Sequence, residues 1–293
     1  MKRHGMTVFK GRSRGLSLIE LMISITLGLL ILAATVSIFA SNKQANTATE
    51  DVGRVQENIR AVFELMSADI RTAGESPCSR GTDGINVPTV SVWVTRIQGA
   101  DAVTGGQQTD SLTLQVPSMQ TFDVTQHISG PAGGSFNLNN TTFFEGWPSP
   151  VLVMACDYRQ SAIFTALPDF NVTATRGNRL TYNGVLGLDG AEYQFRPHSR
   201  LAQLETNQWA IVGGNLQRNG QDIISGVRSM EITYLLRDGV NYVTAGAVPA
   251  GRWDEVVSVR LNMQLQGDNI NGTDGQQLRR QFIHTVGLRG RAA

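Results

Sequence analysis

The sequence predicts an α+β protein: one long N-terminal helix, transmembrane in its first half and amphipathic in its second, packed against an antiparallel β-sheet body. Three observations carry this. Residues 16–40 form an apolar run of 25 residues broken only by Glu20. Residues 45–73 place apolar side chains at alternating spacings of three and four. Several later segments alternate apolar and polar residues, the mark of strands with one buried face.

The N-terminal segment opens with a basic stretch. Lys2, Arg3, Lys10, Arg12 and Arg14 lie within residues 1–15, which hold no acid. The apolar run after it spans about 37 Å as a helix. That exceeds a hydrocarbon core of roughly 30 Å and is too long for an ordinary signal-peptide core. The basic flank predicts residues 1–15 on the cytoplasmic side and the body across the membrane. Ala45, Ala48, Val52, Val55, Ile59, Val62, Met66, Ile70 and Ala73 then mark one apolar stripe. No proline occurs before Pro77, Gly74 suits a helix C-terminus, and Gly53 is a local weak point. The predicted organisation is a leader (1–15), a helix (16–73, divided at 40/41) and a β-rich body (74–293).

"GRSRGLSLIELM" (residues 11–22) resembles the type IV prepilin signature: a short basic leader ending in glycine, then an acid at the fifth position of an unbroken apolar helix. The resemblance implies cleavage by prepilin peptidase between Gly15 and Leu16 and N-methylation of Leu16. The family usually has Phe where this chain has Leu16. Five later segments are similar, in order, to blocks of PilW-type minor pilins: 109–116, 151–166, 224–236, 253–266 and 281–291. So is "RVQENIRAVFELMSADIRTAGE" (54–75), with Cys78 close behind. What the resemblance implies is a low-copy structural subunit that primes pilus assembly in a tip complex. Its partners would be the major pilin, other minor pilins and a tip adhesin, with links to twitching motility and cell adhesion. The precursor would sit in a bacterial inner membrane, and the mature subunit in a pilus at the cell surface. A type II secretion pseudopilin shares the same N-terminal logic. A membrane-anchored periplasmic enzyme or binding protein is the reading from another class, and it would keep its leader.

Glu20 has two readings. It complements the helix dipole in the first turn or meets its own chain's amine. Alternatively, as the resemblance implies, it docks on the N-terminal amine of a neighbouring subunit, because a carboxylate in an apolar helix is costly unless paired.

In the body, Leu112, Leu114 and Val116 alternate with polar residues. So do Val90, Val92 and Val94; Met230, Ile232, Tyr234 and Leu236; and Val257, Val259, Leu261, Met263 and Leu265. "PVLVMAC" is apolar on both faces and predicts a central strand. Residues 99–108, 130–140, 213–220 and 267–275 are rich in Gly and Asn and read as loops.

Cys78 and Cys156 allow one intramolecular pairing. A disulfide is favoured if the body lies outside the cytoplasm, and two buried thiols are the alternative. The chain has 25 basic and 24 acidic residues. Beyond residue 15 the balance is 20 to 24, so no nucleic-acid partner is expected. His127, His198 and His284 are isolated, and no phosphate-binding loop, dinucleotide fingerprint or nucleophile elbow occurs. No enzymatic activity and no cofactor are expected. Asp268, Asn269, Asn271 and Asp274 are a weak calcium candidate, since their spacing is not that of an EF-hand loop. The four tryptophans, Trp93, Trp147, Trp209 and Trp253, read as core or interface residues.

Overall fold

The computed structural model describes residues 17–78, 85–86, 96–139, 150–168, 179–187, 191–271 and 277–288. The strand expected at Val90–Val94 and the residues Trp93 and Trp147 lie outside them. The fold is α+β, with a long N-terminal helix and antiparallel sheets. The helix, α1, runs over Leu18–Thr72. The chain divides between Val52 and Gly53 into two compact units. Among the described residues the first contains only Ser17 and the N-terminal part of α1, taken up below.

The second unit begins with the rest of α1. Ile59, Val62, Met66 and Ile70 recur at helical spacing, and all four are buried, with Ala73 just past the helix end. Burying an aliphatic side chain of this size contributes about 2 kcal/mol. Past Thr72 the chain turns at Gly74, whose φ is +76°. Its N–H donates to Gln115 O at 3.1 Å. A Cβ there would lie 2.5 Å from Arg96 Cδ, so the position needs glycine on both counts.

Sixteen strands follow among the described residues. They are β1 (Ile85–Asn86), β2 (Ile97–Ala100), β3 (Val103–Thr104), β4 (Gln107–Gln108), β5 (Ser111–Ile128), β6 (Gly133–Leu138), β7 (Val151–Cys156) and β8 (Ser161–Pro168). Then come β9 (Arg179–Asn183), β10 (Arg200–Val212), β11 (Asn215–Arg218), β12 (Gln221–Ile224), β13 (Val227–Leu236), β14 (Val243–Thr244), β15 (Val256–Asn271) and β16 (Gln277–Gly287).

These strands build around two cores. The first holds the helix stripe with Leu112 and Leu114 of β5, Trp209 of β10, Leu216 of β11, and the inner residues of β13 and β15. The four-stranded sheet β14-β13-β15-β16 forms one wall of it. The second core comes from the larger sheet. β10 pairs with β7, β7 with β8, β8 with β9, β9 with β6, β6 with β5, and β5 returns to β10. That circuit is a closed six-stranded barrel. Phe122, Phe136, Phe164, Tyr182, Phe195 and Leu201 pack within one cluster contributed by its strands and the segment leading into β10.

β5 and β10 are long because they serve both cores. Residues 112–117 of β5 pair with Leu204–Trp209, and residues 121–123 pair with Arg200–Ala202. The register shifts between these blocks, beside Pro117. Proline has no N–H for the ladder, so an irregularity is where a strand tolerates it.

Several expectations shift in detail. The Gly-rich stretch 130–140 is mostly strand β6, because Gly133 and Gly134 lie against Tyr182 too closely for a Cβ. The stretch 99–108 contains the β3–β4 hairpin, 213–220 contains β11, and β15 continues to Asn271. In β15 a register irregularity opposite Leu235–Leu236 leaves Val256 buried and Val257 only half-buried. One pairing, β1 with β8, is parallel.

A buried ion cluster and a disulfide are among the links between the helix end and the sheets. Asp69 is buried and accepts from Trp209 Nε1–H at 2.9 Å, from Arg218 Nε–H at 2.8 Å and from Arg218 Nη2–H at 2.9 Å. Cys78 and Cys156 are joined in a disulfide, with Cα atoms 5.8 Å apart across a sequence separation of 78.

Replacing Asp69 by Ala strands an indole N–H and a guanidinium. It is expected to cost about 3 kcal/mol in denaturant unfolding followed by circular dichroism. Asp69→Asn keeps an acceptor for Trp209 and should lose less. Reducing the disulfide, or Cys78→Ser with Cys156→Ser, should lower stability by about 4 kcal/mol in the same assay.

Candidate assembly site

The N-terminal part of α1 is apolar on every side. Leu18, Ile19, Met22, Leu30, Ile31, Val36 and Phe39 are all exposed. α1 is long and apolar enough to cross a membrane, and its most apolar stretch is not buried within the protein. Between Ser17 and Asn42 the sequence holds a single ionisable side chain, Glu20.

The polar side chains of this stretch are handled locally. Ser24 Oγ donates to Glu20 O at 2.7 Å, and Thr26 Oγ1 to Ile23 O at 2.9 Å. Thr35 Oγ1 reaches both Ile31 O and Leu32 O. The hydroxyl protons of Ser24, Thr26 and Thr35 are thus spent on the helix's own carbonyls, which lets these three residues sit in an apolar medium. Glu20 differs. It lies in the first turn, where the helix dipole favours an acid. Its carboxylate has no hydrogen-bond or ion-pair partner among the described residues. Gly15 and Leu16, the predicted cleavage pair, lie outside the described residues.

The other predicted residues fall elsewhere. Asp268, Asn269 and Asn271 lie on the β15 backbone, and Asp274 is outside the described residues. Among the described residues, no group of three His, Cys, Asp or Glu is placed to hold a metal. Trp209 is fully buried, and Trp253 packs edge-on against Tyr234.

His127 and His284 are structural in their contacts. His284 Nε2 lies 2.9 Å from Ser67 Oγ, and its ring stacks on Phe63. Burial, followed by the charge of Arg71, lowers its pKa. His127 is buried and stacks on Phe136 at 4.0 Å. Its Nδ1 accepts from Phe195 N–H at 2.9 Å, which places the neutral ring's proton on Nε2, 2.8 Å from Tyr182 Oη. Burial pushes its pKa from 6.5 down to about 4. The Asp69–Trp209–Arg218 cluster was not visible in the sequence, because its members are 140 and 149 residues apart.

Residues 10–36 match the family model described as the prokaryotic N-terminal methylation motif. No curated protein and no solved structure matches the chain. Over this segment the chain is similar to prepilins. The motif, the apolar helix and the β-rich body together define a pilin-like class of protein.

His127 gives a pH prediction. Its folded pKa is depressed, so the unfolded chain takes up a proton first as pH falls below 6.5. Stability should therefore decline between pH 6.5 and about 4, by about 3 kcal/mol in total from this group. Urea unfolding of the full chain in detergent across that range measures it, and His127→Gln should flatten the slope by close to one proton.

Proposed function

We propose that this chain is a minor pilin of the PilW type. It is cut between Gly15 and Leu16 by prepilin peptidase, methylated at Leu16, and built in few copies into a type IV pilus to prime its assembly. In this reading residues 1–15 are a cytoplasmic leader. Residues 16–40 cross the inner membrane and later line the filament core, residues 41–73 are the amphipathic part, and 74–293 form the extracytoplasmic body. The role is structural rather than catalytic, and the partners are the major pilin, other minor pilins and a tip adhesin.

The observation that carries the reading is the Glu20 carboxylate, without a partner among the described residues, on an exposed, all-round apolar helix that bears the methylation motif. The neighbour's N-terminal amine remains positive after methylation. It supplies the charge that an acid in an apolar medium requires, and it fixes the axial register between subunits. A pseudopilin of a type II secretion system is the second reading, since the same motif serves both.

Intact-mass analysis of membrane-derived protein, with and without prepilin peptidase, tests processing. The expected result is loss of residues 1–15 and gain of one methyl group, only when the peptidase is present. Retention of the leader would overturn the proposal. Glu20→Ala should be processed and inserted as usual but recruited poorly into sheared pili. Recovery of the variant at wild-type levels would refute the docking role.

A further inference from the structure

A recess of about 490 Å³ opens beside the disulfide, where the β7–β8 turn meets the segment that enters β10. This is the size range of small-ligand sites. Tyr158, Arg196, His198 and Arg200 line it, with Pro77 and Cys78 forming an apolar flank.

The recess is built on constrained backbone. His198 is one of two non-glycine residues with positive φ among the described residues, at 70°. It is held there by its N–H, which donates to Val124 O at 2.8 Å, while Val124 N–H donates to Ser199 O at 2.8 Å. Ser199 Oγ closes the turn on Arg196 O at 2.7 Å. A bulky residue in this conformation costs about 1–3 kcal/mol, so the surrounding bonds over-determine it. The turn thereby sets where Arg196 and His198 stand.

The chemistry of the recess is cationic and aromatic. Tyr158 is 70% exposed. The guanidinium carbons of Arg159 and Arg196 lie 5.4 and 6.0 Å from its ring centre. The one acid in the lining, Asp157, is already used. Its Oδ1 accepts from the N–H groups of Arg159 and Gln160, and its Oδ2 accepts from Tyr193 Oη–H at 2.6 Å. Arg200 stands opposite Asp123 across the β10–β5 ladder, and Asp123 takes a hydrogen bond from Asn139. Arg196 has no carboxylate partner among the described residues.

We propose that this recess binds an acidic sugar, its ring against Tyr158 and its carboxylate taken by Arg196 with Arg200. Guanidinium matches a carboxylate through paired N–H donors, and an exposed aromatic face suits the apolar face of a pyranose. A polynucleotide fits less well. Strand binding uses a basic groove with successive aromatics, whereas this recess offers one aromatic, on a chain that is net acidic beyond residue 15.

Calorimetric titration of the full chain in non-ionic detergent with digalacturonate tests the proposal, with a neutral digalactoside and an oligothymidylate as comparators. Digalacturonate should bind, weakening as salt rises, and the neutral sugar should bind roughly tenfold more weakly or not at all. Arg196→Ala and Tyr158→Ala should each weaken digalacturonate roughly tenfold with an unchanged melting temperature. Arg196→Gln serves if the alanine variant fails to fold. The proposal is overturned by an absence of binding heat, by equal affinity for the neutral sugar, by indifference to both substitutions, or by tighter binding of the oligothymidylate.

Discussion

Burial of the stripe Ile59–Val62–Met66–Ile70 is the constraint on which the body depends. These side chains are the helical side of a core whose other sides come from β5, β10, β11, β13 and β15. Neither part can bury its apolar surface alone. A single helix with one apolar stripe is marginal in water. The inner faces of β13 and β15, with Met230, Ile232, Leu261 and Met263 fully buried, would otherwise stand open to solvent. Hydrophobic burial is non-directional and tolerates sliding. The Asp69 carboxylate does not, because its three hydrogen bonds to Trp209 and Arg218 are directional. The apolar stripe supplies most of the free energy, and the polar contact sets the helix's position along the sheets.

A second core arises because two strands outlast the first. β5 and β10 leave the helix-facing core and continue into the barrel, with a register irregularity near Pro117 marking the change. Closure satisfies backbone groups that an open sheet of this width would expose at its edges. The cystine ties the two regions where they would most easily part. Cys78 follows the helix end, and Cys156 ends β7 of the barrel. Ser76 Oγ and Ser161 Oγ, 2.8 Å apart, reinforce the same junction.

What was legible in the sequence was local. The 3,4 spacing from Ala45 to Ala73 marks a helix with one apolar stripe; Ile59 to Ala73 is its buried part, Val55 packs half-buried against the same core, and Ala45 is exposed. The alternation of β13 survives residue by residue, with Met230, Ile232, Tyr234 and Leu236 buried and their neighbours half-buried. Even the double-sided apolarity of "PVLVMAC" has its reason. Val151, Val153 and Ala155 face the barrel core, while Met154 meets Ile163 and Leu204 in a separate small cluster outside it. Barrel closure was not legible, because it rests on β10 returning to β5 across some eighty residues and on register rather than composition. Gly133 and Gly134 misled for a related reason. Glycine marks a flexible loop or a tight approach equally well, and only the position of Tyr182 distinguishes them. Of the candidate assembly site, Glu20 was legible because its anomaly is local: one acid in an apolar run. The recess at Tyr158 was not, since "CDYRQ" and "FRPHSR" have no pattern until the fold brings them together.

Two of the acids of α1, Glu20 and Asp69, make a physical comparison. Asp69 is enclosed and receives three donors from the chain itself. Glu20 lies among exposed Leu18, Ile19, Leu21 and Met22, and the hydroxyls in the turns that follow it are engaged elsewhere. Ser24, Thr26 and Thr35 have one proton each, and each is already donated to a backbone carbonyl. In water such a carboxylate needs no partner. In a membrane or a packed helical bundle it must either take up a proton or meet a cation. The first option leaves the residue without a use that a glutamine could not supply. The second requires a positive group at the depth of the first helical turn, and the sequence from Ser17 to Asn42 contains none. In the proposed reading that cation is a chain terminus. Under the proposed processing, a free amine stands four residues before Glu20 in every copy. Glu20 can meet its own terminus or a neighbour's, and only the second choice couples one subunit's position to the next.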